Sequence, residues 1–355
     1  MTDRLTLVQI LRALAALLVV VAHAAHDADA VAARLGRPAM EVAKSFDWTF
    51  GIHLFFVISG FVMAISARGF GEPGAPARFL LRRVVRIAPL YWLLTAAVIA
   101  GAALAPALMN VPLGGWWLPL ASVLFIPALR PNGEIRPALG QGWTLNYEMF
   151  FYACFALAML LPRRAAFVAL TVGLSALVWL GRDLTPADPL LFTWTDGLLI
   201  EFLFGLWIGV ARLGGLRVPP VLAAALTVAG VALAIWMDPT KGRVPLPGFV
   251  LSGVPATLIV AAAGLTRQPR GEGPLLRAAH LLGDASYSLY LVHPFVIRLG
   301  REVWTRLVGD ALPPFAFIPA AVAASALVGL ALYLAVERPM TRALQSGAAA
   351  LLRRA

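Results

Sequence analysis

Arg12 and His23 stand with ten residues between them inside an otherwise apolar run, residues 5–25. On a helix rising about 1.5 Å per residue they lie roughly 16 Å apart along the axis, about half the hydrocarbon thickness of a bilayer. Eleven steps of about 100° bring both onto one face. A guanidinium and an imidazole aligned in this way can hold two ends of one elongated molecule. A plainer reading is also open, in which Arg12 snorkels to one interface and His23 caps the other end. Four more ionisable groups sit in apolar runs: His53, Glu148, Glu201 and His293. A charge in hydrocarbon is costly, so such groups are functional by default. Each has a structural alternative. His53 could bond a neighbouring helix. His293, just before Pro294, could satisfy a carbonyl that the proline frees. Arg82, Arg83 and Arg86 could hold an anion or simply set topology. Glu201, in the middle of an apolar run, is expected to pair with an arginine such as Arg12. No metal site is expected, since only His23 and His26 have the close helical spacing of a ligand pair.

The elements that must position these groups are membrane helices. Of 355 residues, 60% are hydrophobic and only 13% charged, which places the chain among integral membrane proteins. The net charge of +11 is carried almost entirely by arginine, with Lys44 and Lys241 the only lysines. Those arginines flank apolar runs, so orientation in a bilayer explains them better than nucleic acid does. Arg4 and Arg12 before a short apolar core, with Ala28-Asp29-Ala30 beyond it, mimic a cleavable signal. With so many apolar runs following, a retained signal anchor is the expected outcome. The single cysteine, Cys154, forms no intramolecular disulfide.

Runs long enough to span lie near 5–25, 47–66, 84–105, 143–161, 165–181, 192–211, 219–237, 248–266, 283–299 and 313–336. An eleventh run, 116–129, is short and carries Pro119 and Pro127, so its helix is expected to break before crossing. If it stays on the outer side as a re-entrant or interfacial piece, the basic loops fall inside: Arg68 to Arg83, Arg163/Arg164, Arg212/Arg217, Arg267/Arg270/Arg277 and Arg338 to Arg354. The expected fold is therefore all-α, one polytopic bundle of about ten transmembrane helices over residues 1–355, with both termini cytoplasmic. That topology sorts the polar residues by depth. His23, His53, Glu148 and His293 gather near the outer surface, and Arg12, Arg82, Arg83 and Arg86 lie toward the inner one.

An ordered set of motifs carries a resemblance. Arg12 and His23 are followed by His53-Leu-Phe-Phe-Val-Ile-Ser-Gly-Phe61 and Arg82-Arg83-Val-Val-Arg86-Ile-Ala-Pro89-Leu-Tyr91. Then come Gly142-Trp-Thr-Leu-Asn146-Tyr147-Glu148, Ser286-Tyr-Ser-Leu-Tyr290-Leu-Val-His293-Pro and Glu337-Arg338-Pro339. Together they resemble the membrane-bound acyltransferase-3 family, and the opening segment resembles its exopolysaccharide-modifying branch. One departure stands at His53, where many relatives carry Asp. The resemblance implies an O-acyltransferase of the bacterial inner membrane. It would move an acyl group, commonly acetyl, from cytoplasmic acyl-CoA to a hydroxyl of a surface or lipid-linked glycan. It also implies roles. Arg82, Arg83 and Arg86 would cradle the CoA phosphates, with Arg12 along the path of the pantetheine arm. His23 would be the general base, with Glu148 orienting it, and an acyl-histidine intermediate competes with that mechanism. An imidazole with its ordinary pKa near 6.5 suits either role. His53, Asn146, Tyr147, Tyr290 and His293 would line the acceptor side. The implied partners are the bilayer and the glycan, with no nucleic acid, and a homo-oligomer is compatible with this reading.

Two other classes share some of these features. A proton-coupled transporter of a glycan or lipid also carries intramembrane charges and proline-broken helices. A catalytically inert partner of a polysaccharide export machine would keep the bundle without the chemistry. Against the transporter, the sequence has no inverted repeat, and its polar residues divide into a basic inner group and a His/Glu outer group. The topology is directly testable: single cysteines placed in 182–190 and 238–247 should react with impermeant reagents from outside the cell. Reaction only from the cytoplasm would rule out the ten-span arrangement.

Overall fold

A computed structural model of the chain describes residues 5–104, 111–182, 188–269 and 273–352. Arg4 of the signal-like segment, Arg270, Arg353 and Arg354 of the basic loops, and the 183–187 part of the 182–190 loop lie outside the described residues. Regular structure among the described residues is helical, with two isolated β-bridges, Leu129 to Ile135 and Val218 to Thr266. In chain order the principal helices are α1 (Thr6–Arg34), α2 (Phe50–Ser66), α3 (Ala75–Leu104), α4 (Trp117–Val123), α5 (Trp143–Ala158), α6 (Arg163–Gly181) and α7 (Pro189–Trp194). They continue with α8 (Leu198–Leu213), α9 (Pro220–Trp236), α10 (Gly253–Leu265), α11 (Pro274–Asp284), α12 (Ser286–Val303), α13 (Phe317–Leu332) and α14 (Arg338–Leu352).

Among the described residues six helical stretches are long and apolar enough to cross a membrane: Thr6–Arg34, Ala75–Leu104, Arg163–Gly181, Pro220–Lys241, Gly248–Leu265 and Pro314–Gly347. The all-helical architecture and its membrane character follow from these. In the 116–129 run only α4 is helical, and its 7 residues reach about 10 Å, too short to cross. Two helix boundaries differ from the hydropathy reading. Helix α1 continues to Arg34, well past its apolar run, because its polar end finds ion-pair partners. Helix α3 starts at Ala75 rather than 84, which brings Arg78, Arg82, Arg83 and Arg86 into its first turns.

The contacts fall into two compact units, residues 1–65 with 204–335 and residues 66–203 with 336–355. In the first unit α1 is buried on two sides. Val8, Leu11 and Ala15 pack with Phe50, Leu54, Val57 and Phe61 of α2. Ala16, Val20, Ala24 and Ala28 pack with Leu289, Ile297 and Phe317 of α12 and α13. The alanines let backbones approach closely, as membrane helix interfaces require. The limiting case is Gly205 of α8, where a Cβ would stand 1.8 Å from the Val57 carbonyl oxygen. Ion pairs fasten the polar end of α1: Arg301 to Asp27 at 2.6 Å and Arg34 to Glu302 at 2.8 Å. At the other end, the Gln268 amide oxygen accepts from the Leu7 N–H at 2.9 Å. Its nitrogen donates to the carbonyls of Ala263 and Thr266 at 2.9 and 3.1 Å. One side chain thus serves the opening of α1 and the close of α10, where helices leave backbone groups unpaired.

The second unit is built on aromatic stacking. Phe79 lies on Phe155 and Phe151 on Phe202, with ring centroids 5.0 and 4.4 Å apart. Tyr91 stacks on Phe125, and a Cβ at Gly142 would fall 2.5 Å from the Tyr91 ring, so only glycine lets the chain enter α5 there. The segment before α5 is held in place from within. Ser122 Oγ accepts from the Ala138 N–H at 2.8 Å, and the Arg130 guanidinium donates to the carbonyls of Pro137 and Ala138. On α3, Arg86 pairs with Glu337, whose side chain is fully buried. A π-helical turn over Tyr333–Glu337 sets the direction of that carboxylate.

The Arg86–Glu337 pair makes Arg86 a structural residue first. Arg86→Met should leave a buried carboxylate without its cation and lower stability by on the order of 3 kcal/mol. The Arg86→Met/Glu337→Met double variant should recover most of that loss. Thermal unfolding in detergent tests both, and a single variant that melts with the wild type would remove the pair from the stability account.

Candidate active site

Helix α1 carries both Arg12 and His23, so the spacing read from the sequence is realised on one continuous helix. His23 Nδ1 lies 2.9 Å from the Val19 carbonyl oxygen, one turn back on the same helix. His293 of α12 repeats the arrangement, with Nδ1 at 3.2 Å from the Leu289 carbonyl oxygen. The two imidazoles meet: His293 Nε2 is 3.4 Å from His23 Nδ1, and the rings sit edge to face at 4.9 Å.

The carbonyl contacts argue for one tautomer of each ring. A carbonyl oxygen only accepts, so the ring nitrogen facing it must donate. Both Nδ1 atoms therefore carry hydrogens in the neutral rings. His293 Nε2 is left bare, with its lone pair toward the Nδ1–H of His23. In His23 the unprotonated nitrogen is Nε2, which is the atom a general base or a nucleophile uses. His293 is fully buried, so the contact is made in a dry environment, where a hydrogen bond is strong. Tyr290 flanks it, with its ring 6.0 Å from His293 and 6.2 Å from Phe55. His26, one turn further along α1, is exposed.

The remaining sequence-derived residues of this unit lie close by in the chain. Arg12 is half-buried, its guanidinium 3.5 Å from the Gln9 amide oxygen. His53 is half-buried on α2, with its ring 6.4 Å from that of Phe50.

The second unit gathers a different set. Glu148 on α5 accepts from the hydroxyl of Tyr152, one turn on. The Arg83 guanidinium lies over the Tyr152 ring at 5.9 Å and the Phe79 ring at 5.5 Å, and it donates to Ser66 Oγ at 2.8 Å. Tyr152 thus stands between an arginine of the basic group and the carboxylate, cation on its face and carboxylate at its hydroxyl. Sequence reasoning passed over Tyr152. Its signal was the four-residue step from Glu148, which places the two on one helical face. Arg82 is exposed and Arg86 is held by Glu337. Glu201 is fully buried on α8. Asn146 and Tyr147 are buried at the start of α5 and line a cavity. Among the described residues no group of three His, Cys, Asp or Glu is arranged to hold a metal ion.

Comparison with known proteins gives a consistent result. The model of the family described as acyltransferase domain, acyltransferase-3, matches residues 7–334. The exopolysaccharide production protein ExoZ of Rhizobium meliloti (strain 1021) is 38% identical over 298 residues, covering 82% of this chain and 89% of that protein. The acyltransferase MdmB of Streptomyces mycarofaciens is 29% identical over 325 residues, covering 82% of this chain and 81% of its own length. No solved structure matches.

The tautomer assignment has a direct spectroscopic test. In nitrogen-15 histidine spectra of the neutral protein, His23 and His293 should both report hydrogen on Nδ1, assigned by comparison with His23→Gln and His293→Phe. A His23 signal with hydrogen on Nε2 would overturn the assignment and take the basic nitrogen away from the position derived above.

Proposed function

The chain belongs to the acyltransferase-3 family and is an acyltransferase, and on that premise we propose that it transfers an acyl group, acetyl in the simplest case, from cytoplasmic acyl-CoA to a glycan hydroxyl at the outer face of the bacterial inner membrane. The observation that carries the reading is the His23 imidazole, held by Val19 and His293 so that Nε2 is its basic nitrogen. The similarity to an exopolysaccharide production protein supports a polysaccharide or lipid-linked acceptor. In this proposal the chain crosses ten times, with both termini cytoplasmic. Helices α2, α5, α8 and α12 supply the crossings beyond the six long apolar stretches.

The donor phosphates are attracted to the start of α3. Arg82 and Arg83 stand about two turns into it. Arg86 is neutralised by Glu337, so Arg82 and Arg83 carry most of the charge-assisted bonding to phosphate. Arg12 lies along the path of the pantetheine arm.

At the outer end, His23 Nε2 takes the proton of the acceptor hydroxyl as its oxygen attacks the thioester carbonyl carbon. The C–S bond then breaks, and the imidazolium returns its proton to the leaving thiolate, giving the ester and free CoA. Through its Nδ1–H, His23 donates to Val19 and His293 during charge development. Glu148, which accepts from Tyr152, is the second residue that the family resemblance ties to this chemistry. The same Nε2 would be the nucleophile if an acyl-histidine forms.

The test is the acyl content of surface glycan in cells that make the wild type or a variant at equal membrane levels. His23→Ala should lose about 10² to 10⁴ in transfer rate, and Glu148→Gln a similar order. Because the two act as one unit, the double variant should be little worse than the worse single. His26→Ala should stay near wild type, and Arg82→Ala/Arg83→Ala should weaken acyl-CoA binding most at low salt. Substantial transfer by a folded His23→Ala protein would overturn the base assignment. Unchanged acylation with lost glycan export would favour a transporter.

A further inference from the structure

The start of α5, the short helix α7 and the turn into α8 enclose a cavity of about 280 Å³ within the second unit. Three aromatic side chains line it, Trp143, Tyr147 and Phe192, together with Asn146, Thr193 and Asp196. Trp143 and Tyr147 meet edge to face at 5.8 Å, so their rings present two differently oriented faces. The walls are rigid. Asp188 caps α7 by accepting from the N–H groups of Leu190 and Leu191 at 2.7 and 3.2 Å. Trp194 stacks on Phe150 at 5.0 Å and pins α7 to α5, and Asp196 accepts from the Leu198 N–H at 2.7 Å.

One polar atom in this cavity is left over. Asn146 is 2% exposed, and its side-chain oxygen has no hydrogen-bond partner within the protein. A buried acceptor without a donor costs roughly 1–3 kcal/mol, and Asn146 is one of the residues that line the open volume. The site therefore asks for a ligand that brings O–H donors and also offers apolar C–H faces to aromatic rings. A sugar ring has both, hydroxyls around its rim and C–H groups on its faces. The volume lies at the low end for small-molecule sites, which suits one ring and not a longer oligosaccharide. A lipid chain would satisfy the aromatic walls but would leave Asn146 unbonded.

We propose that this cavity is a monosaccharide subsite, in which one sugar residue of the acceptor stacks on Trp143 and Phe192 and donates a hydroxyl hydrogen to Asn146. The inference rests on the glycan reading of the acceptor given above. It adds how the acceptor is gripped, and it gives Phe192 and Thr193, which lie outside every motif of the sequence, a part in binding. These are binding residues and take no part in the proton transfer.

The experiment uses the purified full-length protein in nanodiscs and oligosaccharide fragments from the exopolysaccharide of the cells that make it. Calorimetry reads glycan binding and acetyl-CoA binding separately. Phe192→Ala is the first variant, because Phe192 is 40% exposed and its loss spares the core. It and Trp143→Ala should each weaken glycan binding about tenfold, while Trp143→Phe keeps an aromatic face and most of the affinity. Asn146→Leu, which removes the acceptor atom, should weaken it by a similar factor. Acetyl-CoA binding should be unchanged throughout. Glycan affinity unaltered by all of these substitutions would overturn the subsite while leaving the acceptor class intact. A wild-type protein that binds acetyl-CoA but none of the fragments would overturn the glycan reading itself. Equal loss of glycan and acetyl-CoA binding would mark a structural role for the cavity and count against the subsite.

Discussion

The hydrogen bond from His23 Nδ1 to the Val19 carbonyl is local, but much of the first unit serves to keep it meaningful. A helix carbonyl normally accepts from the N–H one turn on, so a second donor is tolerated only where the ring cannot swing away. Burial of α1 against α2 on one side and α12 with α13 on the other removes that freedom. His293 then closes the remaining direction with a nitrogen that can only accept. The outcome is an imidazole with one defined tautomer and one defined basic atom. The small residues along α1, the ion pairs at its polar end and the Gln268 bond at its start all act on this same point.

The second unit solves a different physical problem. Its arginines must remain charged beside an apolar interior, and they are placed by different means. Arg86 has a buried carboxylate, Arg83 has aromatic faces and a serine hydroxyl, and Arg82 has solvent. A guanidinium over a ring keeps its charge while shedding water. Three arginines read as one cluster in the sequence are thus three distinct environments, and Arg86 alone of them is held by a buried carboxylate.

Much of this was legible in the sequence. The Arg12/His23 spacing, the membrane character and the broken 116–129 run follow from periodicity and composition, which local physics obeys. The start of α3 was misjudged because hydropathy counts charges and ignores the arginine stems, which let a helix extend through a basic segment. The His23–His293 contact was beyond reach, since nothing local in either motif says that positions 270 apart share a hydrogen bond. Depth along the membrane can be estimated from the sequence, whereas the azimuth of one helix against another cannot. Tyr152 was recoverable from its step after Glu148, but a tyrosine in an aromatic helix carries little signal until its neighbours are known.

The separation of His23 from His293 also bears on how the protein comes into being. Chains are made at about 5–20 residues per second, so α1 exists for roughly 15 to 50 s before the histidine that completes its imidazole arrangement is synthesised. During that interval α12 and α13, which cover one whole side of α1, do not yet exist. The His23 ring is therefore given its final orientation at the end of synthesis. A chain that stalls before α12 would carry the first histidine but not the geometry that the second one completes.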